Sequence, residues 1–163
     1  MRRWWGSKIK RTWAYVRARV SSAERDELAT WLTPAQLALF DRMHVADRRH
    51  GLEVVAALRK AGASDPDLLV AGLLHDCGKG QRVRLVHRVA WSLGQRHGEW
   101  IGRAASHMPT FRDGLDRLRR HADRSAELAA AAGCSSRTVA LIRLQENPID
   151  QAGELLRAVD EAN

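Results

Sequence analysis

The stretch Leu73-Leu74-His75-Asp76-Cys77-Gly78-Lys79 closes an apolar helical run with an adjacent histidine and aspartate, followed at once by glycine and lysine. Neutral imidazole and carboxylate are both good ligands for divalent first-row metals. A lysine three residues on sets positive charge beside such a metal, a combination suited to binding and attacking a phosphate ester. A His-Asp pair is common by itself. Its weight depends on further ligands that a helical fold can bring to it.

Working outward, the period is helical almost throughout. Asp65-Pro66 opens the helix that carries Leu68, Leu69, Leu73 and Leu74 to His75, and Gly78 stops it. Upstream, Ser21-x-x-Glu24 and Thr33-x-x-Gln36 read as capping boxes, the second with Pro34 at the first helical position. They predict short helices near 22–31 and 34–43. A longer helix is expected over 46–60, burying Leu52, Val55 and Leu58, with Gly62 ending it. Downstream, 83–93 and 99–106 read as helices, and 109–114 contains a break. A helix from about 115 leads towards His121, and 124–132 is helical before Gly133. Ser135 or Ser136 caps a helix to about 146, and Pro148 opens a last one, to about 160. No segment alternates over strand length, so the expected class is all-α.

The 163 residues are long enough for a core without metal or disulfide support. Cys77 and Cys134 lack paired spacing, which excludes a disulfide framework or a cysteine zinc site and fits a reducing cytoplasm. No apolar stretch approaches the roughly 20 residues needed to span a bilayer, and no signal-peptide pattern opens the chain. The net charge of +8 is uneven: residues 1–20 hold seven Lys or Arg and no acid, while the remainder is nearly neutral.

Two further ligands suggest themselves for His75-Asp76. His50, in Asp47-Arg48-Arg49-His50, sits on the preceding helix, which a short connection makes antiparallel to the one ending at His75. Asp160, in Leu155-Leu156-Arg157-Ala158-Val159-Asp160, has apolar neighbours at helical spacing, and an inward carboxylate needs a partner. His50, His75, Asp76 and Asp160 together offer two nitrogens and two carboxylate oxygens.

In this order and local context the four residues resemble the HD-domain superfamily of metal-dependent phosphohydrolases, whose pattern is H…HD…D on a helical bundle. The resemblance covers roughly residues 32–163 and leaves 1–31 as a basic, Trp-rich extension. It implies one divalent metal (Mn, Fe, Co, Ni, Zn or Mg) held by His50, His75, Asp76 and Asp160, and hydrolysis of a small phosphorylated compound, nucleotides included. Asp76, Lys79 and His121 are the expected catalytic residues: Lys79 as a point charge on phosphate, and His121 as a proton donor or phosphate contact. Many larger-site members carry, about twenty residues after a histidine like His121, a His-His pair that reads here Leu144-Gln145. Leucine cannot bind metal, so one ion is expected rather than two. A module that binds metal and a nucleotide-like ligand as sensor or scaffold is the alternative.

Other residues carry weaker readings. Arg82, Arg84, His87 and Arg88 are candidates for added cationic contacts, and Glu53, one turn after His50, reads as an orienting acceptor or a surface glutamate. His44, His97 and His107 read as surface or packing histidines, the alternative for His87 too, and Cys77 as a space-filler. At the start, Trp5, Ile9, Trp13, Val16 and Val20 form an apolar stripe against a basic face. Docking on the domain or on a second subunit, as in a homo-oligomer, and peripheral contact of residues 1–20 with an anionic membrane both fit that helix. Nucleic acid is the weakest partner, because the charge is confined to one short segment.

Overall fold

The computed structural model describes residues 17–80 and 116–163, and every element within them is helical. In chain order these are α1 (Ser22–Ala29), α2 (Pro34–Asp41), α3 (Val45–Lys60), α4 (Pro66–Leu74), α5 (His121–Ala131), α6 (Ser136–Arg143) and α7 (Gln151–Ala162). A short 3₁₀ turn, Cys77–Lys79, follows α4, and residues 116–119 form a helical turn ahead of α5. The expected helices over 83–93 and 99–106, the break at 109–114 and most of the N-terminal stripe lie outside the described residues.

Both capping boxes form. Ser21 and Thr33 each accept from the backbone three residues on, while Glu24 and Gln36 return a bond to the cap N–H. His44 caps α3, its Nδ1 accepting from Ala46 N at 3.2 Å. Helices α3 and α5 end in Schellman motifs at Gly62 (φ 89°) and Gly133 (φ 74°), where Ala63 and Cys134 donate back to Leu58 and Ala129.

Helix α4 is the centre of the bundle: every residue from Leu68 to Leu74 is buried, against α2, α3, α6 and α7. Phe40, Val54, Leu58, Leu73, Leu74, Ile142 and Leu156 are its largest apolar core neighbours and members. Within α3, Val54, Val55 and Leu58 are buried, while Leu52, expected inside, is only half-buried because the contact face turns through Gly51 and Val54. Positions pair as 50 with 75, 51 with 73, and 54 and 58 with 72, so α3 and α4 run antiparallel. Gly51 makes the crossing possible, since a Cβ there would stand 2.5 Å from the Leu73 carbonyl oxygen.

Four boundaries differ from expectation. Helix α4 ends at Leu74 with His75 as its cap, short of Gly78, which lies in the separate 3₁₀ turn. The chain from 116 breaks at Arg120 and α5 restarts at His121, whose Nδ1 donates to the Leu118 carbonyl at 2.8 Å. Helix α6 stops at Arg143 rather than near 146, because Pro148 bars its preceding residue from helical geometry and residues 144–147 turn instead. Helix α7 begins at Gln151, not Pro148: the Asp150 carboxylate accepts from Gly153 N at 2.7 Å and so becomes the cap.

Candidate metal centre

Three helices deliver the central side chains. His50 comes from the first half of α3, His75 caps the C-terminus of α4, and Asp160 lies near the end of α7. One ligand atom from each can be chosen so that all lie within 4.8 Å of one another, a group able to hold a metal ion. His50 Nε2 donates to Asp160 Oδ1 at 2.6 Å, and the two imidazole rings meet edge to face with centroids 5.3 Å apart.

His75 is 2 % exposed, and its ring orientation is set by the backbone. Nδ1 donates to the Gly72 carbonyl, 2.9 Å away, so in the neutral ring the lone pair sits on Nε2. That Nε2 faces Asp160 Oδ1 at 3.3 Å and Asp76 Oδ2 at 3.6 Å, yet it is buried with no hydrogen-bond partner among the described residues. An orphaned, correctly tautomerised imidazole nitrogen beside a carboxylate and a second imidazole fits a divalent cation. Burial by itself would depress the His75 pKa, but the Asp76 and Asp160 charges prevail and raise it to about 9, so a cation entering here would displace the Nε2 proton. Asp160 is held well below the usual carboxylate range; its partial burial opposes this, and the His50 bond with the nearby His75 charge outweighs it.

Asp76 adjoins this group. It is 3 % exposed; its Oδ2 accepts from the Lys79 ammonium, while Oδ1 is buried and, among the described residues, unbonded, 3.8 Å from His121 Nε2. Burial would raise its pKa, but the surrounding cations, Lys79 first and then His75, keep it well below the ordinary value. His121 repeats the His75 arrangement: Nδ1–H is spent on a backbone carbonyl, leaving Nε2 to face the carboxylate. The six residues named as ligands or catalytic groups thus lie close together, with Asp76 linking the His50/His75/Asp160 group to Lys79 and His121.

Two supporting residues had not been anticipated. Gln145, buried, donates its amide to the His75 carbonyl at 3.3 Å. Ser125, fully buried, accepts from Gly78 N at 2.8 Å and fixes the turn that presents Lys79. Ser125 lies four residues after His121 on the same helix face, which was the available signal. Glu53 does not orient His50. It is exposed, in a groove between α1 and α3 lined also by Glu24, Trp31 and Arg59, and Asp160 is the His50 acceptor. Arg82, Arg84, His87, Arg88, His97 and His107 lie outside the described residues, and among the described residues no helix is long and apolar enough to cross a membrane. Comparison of the chain with protein-family models, with curated proteins and with solved structures yields no match.

Proposed function

We propose that the protein is a metal-dependent phosphohydrolase acting on a small phosphorylated compound, nucleotides included, through one divalent cation held by His50, His75, Asp76 and Asp160. The observation that carries this reading is the buried Nε2 of His75, unpartnered among the described residues, beside His50 and Asp160, with Lys79 and His121 gathered at the adjoining Asp76. The resemblance of the H…HD…D pattern to HD-domain phosphohydrolases supports the same reading. Gln145 supports a single ion: where a second histidine is expected, an amide is spent on the backbone of His75.

A divalent cation in such a site polarises a phosphoryl oxygen and lowers the pKa of water. The chain supplies the rest. The Gly72 carbonyl orients the His75 imidazole through Nδ1–H. Lys79 offers an ammonium on a flexible stem to a phosphate oxygen. His121, with Nδ1–H committed to the backbone, can hold or release a proton only at Nε2, where a leaving oxygen would need it.

The test is a phosphomonoesterase and nucleotide screen on purified protein, with elemental analysis identifying the cation. Turnover should require added metal and fall by at least two orders of magnitude in Asp76→Ala. Metal-loaded protein that binds a nucleotide tightly and hydrolyses none would replace the enzyme by a ligand-sensing module.

A further inference from the structure

A lysine assigned to phosphate ought to be free to reach one, yet the Lys79 ammonium is bound to the Asp76 carboxylate. It takes Oδ2, the oxygen that faces His75 Nε2 at 3.6 Å and that a cation shared with His75 would also need. The other oxygen has His121 Nε2 3.8 Å away. A carboxylate only 3 % exposed requires a counter-charge, and here it already has one. A divalent cation added beside His75 would meet an ammonium on the same oxygen, and like charges at such range repel. Lys79 has a way out: its side chain is 16 % exposed, against 3 % for its partner, and it stands at the end of a three-residue turn.

The geometry points to Lys79 as a competitor of the metal for Asp76, so that cation binding drives its ammonium off the carboxylate and makes it available to an anionic ligand. Metal uptake and anion binding are then coupled through one side chain. By linkage, whatever holds Lys79 away from Asp76 raises cation affinity by the factor by which the cation raises anion affinity. The inference rests on the metal-binding part of the proposed function and is independent of hydrolysis.

Calorimetric titration of the full chain with Mn²⁺ tests it, comparing wild type with Lys79→Met and Lys79→Arg. Methionine keeps the stem and removes the competitor, so Mn²⁺ should bind about tenfold tighter, the weight of one charge-assisted hydrogen bond. Arginine can grip the carboxylate through two bonds and should bind Mn²⁺ more weakly than wild type. An unchanged or weakened affinity in Lys79→Met overturns the proposal. So does a Lys79→Arg affinity equal to wild type, which would mean that only the net field matters. The arginine variant retains the charge and is read against wild type alone if the methionine variant fails to fold. The affinity order Met, Lys, Arg without turnover would retain this inference and discard the hydrolase; turnover without that order would do the reverse.

Discussion

At the level of single side chains, the interior tunes chemistry by what surrounds each group. Cys77, 5 % exposed, has its thiol pushed up to about 12, chiefly by burial. At pH 8 about one molecule in ten thousand then carries the thiolate, against about a quarter for an ordinary cysteine. Burial also raises Cys134, but that residue is only half-buried. Iodoacetamide at pH 8 should therefore label Cys134 first and reach Cys77 only on unfolding; peptide mapping that finds both labelled at equal rates would contradict this. The candidate ligands could be named from the chain because their identities and order are visible in one dimension. The Lys79–Asp76 bond and the Gln145 amide on His75 were not legible, since each depends on how a non-helical turn is directed in space.

Among elements, the crossing of α3 and α4 sets the distance between His50 and His75. Gly51→Ala at an exposed helical position would gain about 1 kcal/mol from propensity. Here the new Cβ would lie 2.5 Å from a backbone oxygen that cannot rotate away. The variant should lose roughly 1–3 kcal/mol, seen as a lower urea midpoint at unchanged slope, and should bind metal more weakly as α4 is pushed off. Helix α1 is tied to α3 by the Glu24–Arg49 ion pair at 2.6 Å. The Glu24 pKa is lowered to about 2, first by the Arg49 bond and then by Ser21. Its folded value lies below the ordinary 4.5, so its contribution is present above that pH and disappears as pH falls towards 2. Glu24→Gln should flatten the acid dependence of stability in that window, by a small amount because the pair is only half-buried and solvent screens it. Helix starts were legible where a side chain supplies the cap, as at Ser21, Thr33 and Asp65. Pro148 misled because proline tolerates a first turn without requiring one, and Asp150 had the better acceptor.

For the molecule as a whole, a cation bound by α3, α4 and α7 is a cross-link available only to the folded chain. Mn²⁺ at about one hundred times its Kd should stabilise it by about 2.7 kcal/mol. For a chain of this size that is roughly 5–10 °C in Tm, reversed by chelator. Asp160→Ala should abolish the shift; a full shift in that variant would place the cation elsewhere. The bond between His50 and Asp160 joins positions 110 apart. Pairing of α3 with α4 is local by comparison and can form without α7. A compact intermediate with these two helices in place and α7 undocked would keep most of its helical signal while lacking Asp160, one of the four candidate ligands. Cation binding at this centre would therefore report completion of folding: in a stopped-flow experiment its onset should trail the recovery of far-ultraviolet dichroism and mark the moment α7 docks.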